Sequence, residues 1–285
     1  MTPRADAHIH LFSGGYQDSS LASRPGVAID ETVCYHSLAL EWDVTAALVV
    51  GFGGEDWCVE NNTYLAEQVG RYDWIRPLAY LTLDTLLPVD ELERLQQQGF
   101  VGVSLFLFDD KSAGLAAVPD TFWDWIVQRN WLVSVNSQAA GWRNWAPILE
   151  RFPDLRLLVS HLGLPPAMKE PAAAPQAEAA LQSVTELAKY QSVFVKLSGF
   201  YALTVPGHDY PHQAAWPYVK RLIEAFGSER LLWASDFSPC LDWVTFPQTF
   251  DLFQKMPFFS ASDLAAITGG NLRKLLGAIR PAAAR

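Results

Sequence analysis

The chain has 285 residues, half of them hydrophobic and 13% aromatic, and carries a formal net charge of −10. That length suits one α/β barrel with a large core. The acidic balance, with no basic cluster interleaved with aromatics, argues against nucleic acid or an anionic membrane as a partner.

The chain opens on a predicted strand over residues 5–10, which holds Asp6-Ala7-His8-Ile9-His10. Alternate side chains of a strand share a face, so the two imidazoles should project together from its end. Two converging histidines are typical of a metal or proton-transfer site. A helix is expected over 32–41, a strand over 46–50, a helix over 60–72 and a strand over 75–81. A helix over 89–98, a strand over 101–107, a helix over 121–129 and a strand over 132–136 follow. Next come a helix over 142–151, a strand over 155–161, and a Pro/Ala-rich loop over 165–175 that enters a helix over 175–190. The seventh strand is expected over 193–198, a helix over 213–226 and the eighth strand over 231–236. Several strands are unbroken Val/Leu/Ile runs, as parallel strands buried on both faces should be.

Between residues 200 and 217 lies a long loop rich in aromatics, with Tyr201, His208, Tyr210 and His212. Its length points to a functional role and its aromatic content argues against disorder. Ser260 to Asp263 has the pattern of a helix-capping start, and a closing amphipathic helix is expected over 272–276. Strands alternating with helices predict a (β/α)8 TIM barrel forming a single domain over 1–285, with a doubly wound sheet as the alternative. Three scattered cysteines, Cys34, Cys58 and Cys240, build neither a disulfide framework nor a Cys-x-x-Cys metal site. With no basic-then-apolar leader and no long apolar run, they predict reduced thiols in a cytoplasmic protein without a membrane span. The eleven tryptophans permit an oligomeric interface without requiring one.

In a parallel barrel the active site lies at the C-terminal strand ends. His8 and His10 close the first predicted strand, His161 the sixth and Asp236 the eighth. The strand motif at Asp6–His10 is joined by Ser160-His161-Leu162-Gly163, Lys196-Leu197-Ser198-Gly199 and Trp233-Ala234-Ser235-Asp236-Phe237-Ser238-Pro239. In this order they resemble the motifs of the amidohydrolase superfamily. The closest resemblance is to the branch of TIM-barrel hydrolases that includes the 2-pyrone-4,6-dicarboxylate lactonases and L-fuconolactonases. Gly270-Asn271-Leu272-Arg273 is similar to that family's closing Asn-x-x-Arg helix.

The resemblance implies a hydrolase acting on a small cyclic ester, a lactone or sugar lactone. His8 and His10 would be metal ligands or substrate-binding imidazoles, His161 would polarise the scissile carbonyl, and Asp236 would be the general base. A carbonyl that becomes an oxyanion needs an electrophilic partner, and the attacking water needs a base. The alternative is a metal-dependent amidohydrolase or a decarboxylase on the same barrel.

Two departures from the family pattern bear on this reading. The fifth strand offers Asn136 where metal-dependent members carry histidine, and the fourth offers no lysine. The remaining ligands for a divalent metal such as zinc are His8, His10 and Asp236, with Asn136 a fourth, and metal dependence stays open. Ser104 occupies the region where the pyrone-dicarboxylate lactonases place arginines, and no arginine lies between Arg94 and Arg129. A neutral, partly apolar ring is therefore the expected substrate. Asn136, Tyr201, Tyr210 and His212 are the expected substrate-binding residues, and Trp57, Trp142, Trp145 and Trp243 fall in predicted loops. Lys196 is expected to pair with Asp6 or Asp236 inside the barrel, a Schiff-base or oxyanion role being the alternative.

Overall fold

Eight strands run in chain order around one parallel sheet in the computed structural model, which describes residues 3–17, 30–84 and 86–281. They are β1 (Arg4–Ile9), β2 (Val44–Val50), β3 (Ile75–Tyr80), β4 (Gly102–Leu107), β5 (Leu132–Ser137), β6 (Arg156–Val159), β7 (Val193–Leu197) and β8 (Leu231–Trp233). The barrel closes between its last strand and its first, where Asp236 N donates to His8 O (2.9 Å) and His10 N to Phe237 O (2.5 Å). This is a (β/α)8 barrel, as expected from the alternation.

The helices in chain order are α1 (Glu31–Glu41), α2 (Asn61–Val69), α3 (Val89–Gln97), α4 (Asp120–Arg129), α5 (Ala146–Arg151) and α6 (Ala174–Thr185). They continue with α7 (Phe200–Leu203), α8 (Trp216–Phe226), α9 (Gln248–Asp251), α10 (Ala261–Ala265) and α11 (Asn271–Gly277). Local chemistry fixes several ends. Asp30 caps α1 by accepting from Val33 N, and α4 stops at Asn130, which takes the left-handed conformation (φ 54°). Ser260 and Asp263 form a reciprocal capping box at the start of α10.

Two apolar layers hold the barrel. Outward-facing strand residues such as Val49, Val103, Val135 and Val195 pack beneath the helices with Trp123, Trp142 and Trp145. The lumen is filled by Ala5, Ala7, Leu48, Leu78, Leu132, Leu158 and Leu232. Leu272 and Leu275 of α11 join this inner cluster, so the closing helix seals the barrel's N-terminal end. Each such side chain removed from water contributes roughly 1.5–3 kcal/mol. Asn271 anchors the seal by donating to the carbonyls of Ser228 (2.8 Å) and Leu231 (2.9 Å) at the start of β8.

The first strand is not regular. Asp6 pairs with Ala47 and Ile9 with Val49, which leaves Ala7 and His8 together opposite the single residue Leu48. This bulge resets the alternation of side chains. Asp6 therefore points outward, as its partner Ala47 does, while His8 turns into the lumen. The sixth and eighth strands end earlier than their apolar runs suggested. His161 (φ 52°) and Asp236 (φ 62°) both take left-handed backbone conformations and stand in the turns just beyond them.

Candidate active site

His8 and His10 meet at the C-terminal mouth of the barrel with their Nε2 atoms 3.0 Å apart. The Nδ1 atom of His10 lies 2.9 Å from Val50 O, a pure acceptor, so Nδ1 carries the proton and Nε2 presents its lone pair. Asp236 brings Oδ1 to 3.7 Å from His8 Nε2 and 3.9 Å from His10 Nε2. Its Oδ2 lies 3.8 Å from His161 Nδ1, and the His161 and His8 ring centroids are 4.6 Å apart. The four residues expected at strand ends thus form one cluster.

Each member is held from behind. Ser198, the residue after β7, places Oγ 2.9 Å from His161 Nδ1. Tyr201 of α7 donates to Asp236 Oδ2 at 2.7 Å. Asp6 accepts from the backbone N–H groups of His8 (3.2 Å) and Ser235 (2.9 Å) and from the Tyr35 hydroxyl (3.0 Å), stitching β1 to β8. Burial raises the Asp6 carboxyl to about 6. Glu31 of α1 accepts from Phe12 N, Tyr16 N and the Ser238 hydroxyl, tying the loop after β1 to the loop after β8.

Burial also governs the imidazoles. It pushes His10 down to about 4 and lowers His8 and His161, so the cluster is uncharged on its histidine side near neutral pH. Neutral imidazoles suit ligation of a cation or hydrogen bonding to a substrate oxygen.

Lys196 departs from expectation. It donates to Ser134 Oγ at 2.6 Å and lies 3.3 Å from His8 Nδ1. Neither Asp6 nor Asp236 approaches it within ion-pair distance, although both carboxylates act on it through space. The pairing fails because the bulge turns Asp6 outward, while Asp236 is held at the mouth by Tyr201. Burial brings the amine down to about 7.

The remaining expected site residues divide. Asn136 ends the inward-facing row Leu132, Ser134, Asn136 of β5, and its buried amide nitrogen has no hydrogen-bond partner. Ser104, inward on β4, has an unpartnered buried hydroxyl as well. Tyr201 is at the cluster, but His212 is buried behind it, bonded through Nδ1 to Thr204 Oγ1 (2.8 Å). His212 lines a cavity of about 20 Å³ with Ser198 and Ser235. Tyr210 packs beside His212 and under the Lys255 ammonium. Trp142 and Trp145 are fully buried in the outer core, and Trp142 donates to Gly163 O. Trp57 and Trp243 do lie near the mouth, Trp57 against Phe12 and Tyr16, Trp243 stacked on Tyr201. Sequence reasoning passed over Glu31, Ser134 and Ser198. The serines had one available signal, a small polar residue on the inward parity of an otherwise apolar strand.

The family model described as amidohydrolase matches residues 5–278 of this chain. The chain belongs to the amidohydrolase family. The amidohydrolase is 36% identical over 87 residues to an L-fucono-1,5-lactonase from Burkholderia ambifaria, a match covering 30% of this chain and 28% of that protein. Its fold is shared with a zinc-bound amidohydrolase from Burkholderia multivorans at 19% identity, 96% and 99% coverage and a TM-score of 0.78. A Pseudomonas putida protein provisionally designated a 2-pyrone-4,6-dicarboxylic acid hydrolase superposes at 22% identity, 98% coverage of each chain and a TM-score of 0.72. The amidohydrolase's own donors suit such an ion. His8, His161 and Asp236 offer ligand atoms within 4.8 Å of one another, and His10 Nε2 adjoins them. Among the described residues no helix is long and apolar enough to cross a membrane.

Proposed function

We propose that this amidohydrolase hydrolyses a small cyclic ester, with Asp236 as the general base. The observation that carries the reading is the convergence of Asp236 with His8, His10 and His161 at the barrel mouth. Oδ1 of Asp236 takes a proton from water as the water oxygen bonds to the ester carbonyl carbon. His161, held at Nδ1 by Ser198, has Nε2 left for the oxygen on which negative charge develops. Collapse of the tetrahedral intermediate breaks the ring C–O bond, and the proton on Asp236 passes to the departing alkoxide. A neutral ring, such as a sugar lactone, fits the aromatic walls of Phe12, Trp57 and Trp243 and a sequence with no arginine between Arg94 and Arg129. The L-fucono-1,5-lactonase relative supports the same class. The unpaired amide of Asn136 would donate to a ring substituent, and the Tyr201 edge would bound the ring.

A second reading is favoured by the 3.0 Å approach of the His8 and His10 Nε2 atoms, a spacing that suits two imidazoles sharing one ion. His8, His10, His161 and Asp236 would hold a zinc ion, which would polarise the carbonyl and lower the pKa of bound water. The substrate could then be an amide or a carboxylate awaiting decarboxylation.

A panel of lactones assayed by acid release, with and without a chelator, tests both readings. Asp236→Asn should abolish turnover while ligand binding persists, and continued lactone hydrolysis by that variant refutes the base assignment. Activity that disappears with the chelator and returns with zinc supports the second reading.

A further inference from the structure

Asp236 has two carboxylate oxygens, and the cleft needs one of them. Oδ1 faces His8 and His10, while Oδ2 is taken by the Tyr201 hydroxyl at 2.7 Å. That contact is a short charge-assisted bond, the stronger kind. The tyrosine ring is itself clamped: it lies parallel to Trp243, with 7° between planes and 6.1 Å between centroids. Gly207 lies against Trp243 and the Tyr201 backbone, where an added Cβ would meet the Trp243 ring at 2.8 Å and the Tyr201 carbonyl oxygen at 2.7 Å. The segment from β7 to α8 therefore delivers one hydroxyl to one oxygen.

We infer that Tyr201 is the positioning residue for Asp236, fixing the carboxylate through Oδ2 so that Oδ1 alone is presented to the attacking water. This role rests on the base assignment above and replaces a direct substrate contact by the Tyr201 hydroxyl. The geometry leaves that hydroxyl no second proton to give to a substrate. Without the bond, the Asp236 side chain is free to rotate about its terminal torsion, which has a broad, two-fold profile. A reactive geometry then becomes one of several, and the loss falls on the chemical step.

The test is Tyr201→Phe, which keeps the ring and its stack on Trp243. Against a lactone turned over by the wild type, kcat should fall by about 10- to 100-fold, with KM unchanged within about two-fold and the melting temperature nearly preserved. Trp243→Leu, which loosens the ring and keeps the hydroxyl, should lower kcat by a smaller factor. A second readout needs no turnover. In protein labelled with ¹³C at aspartate carboxyl carbons, the Asp236 resonance, assigned by its loss in Asp236→Asn, should move in Tyr201→Phe. A variant in which KM rises while kcat holds makes Tyr201 a substrate contact and overturns the inference, as does an unmoved Asp236 resonance. A wild type that hydrolyses no lactone refutes the proposed reaction instead, while the resonance still decides whether Tyr201 holds Asp236.

Discussion

The Lys196 ammonium nitrogen lies 3.3 Å from Nδ1 of His8, deep in the barrel, and Ser134 holds it there from β5. A lysine with no exposed surface is costly to charge, and burial brings it to about 7 from an ordinary 10.5. Between these values the unfolded chain binds a proton that the folded chain does not. Stability should therefore rise with pH from about 7 to 10.5, by at most about 1.4 kcal/mol per pH unit for one proton, and this slope should vanish below about 7. Lys196→Met should remove that slope and leave stability at pH 7 unchanged or higher, since a buried charge is exchanged for an apolar chain. Its kcat/KM should fall by about ten-fold or more as His8 loses its Nδ1 partner. Urea unfolding at several pH values, with kinetics on the same samples, checks both; equal slopes in the two proteins would refute the burial argument.

Gly199 governs the seat of His161. Its φ is 67°, a conformation costly for residues with a Cβ, and an added Cβ would stand 2.8 Å from His161 Nδ1. Gly199→Ala should cost about 1–3 kcal/mol of stability and displace the imidazole from Ser198. Activity should drop more than the stability loss explains, because the variant remains folded at the assay temperature. Thermal melts and kcat on one preparation separate the two losses; a variant as active and stable as the wild type would sink the argument.

Asn271 should behave in the opposite way. Its amide satisfies two carbonyls at the base of β8, at the barrel end remote from the histidines. Asn271→Ala leaves both without that donor and should destabilise the protein by about 1–3 kcal/mol. Below the melting transition, kcat and KM should stay near wild type. A selective loss of kcat in a stable variant would place the closing motif in the catalytic machinery.

Much of this was legible in the chain. The eight apolar runs identified the eight strands because parallel strands buried on both faces leave an unbroken signature. His8, His10, His161 and Asp236 stood out because ionisable groups at strand ends in a barrel share one mouth. Boundaries were poorer where backbone conformation departs from the pattern. The apolar runs toward His161 and Asp236 overran strands that stop at Val159 and Trp233, since left-handed turns follow. The helix expected over 142–151 begins instead as a 3-10 segment over Ala139–Trp145, and its tryptophans face the core. Lys196 was placed with the wrong neighbours because the groups it meets, His8 and Ser134, come from distant strands. Local pattern does not encode which strand a lumen side chain reaches.

The bulge at Ala7 and His8 makes the opening strand two half-strands of opposite phase. Its upstream half delivers an acid to the joint with the last strand, and its downstream half delivers imidazoles to the chemistry. One inserted residue separates scaffold from reagent. Because Leu48 faces two residues of β1, Asp6 and His8 stand on opposite faces although they are only two positions apart in the chain.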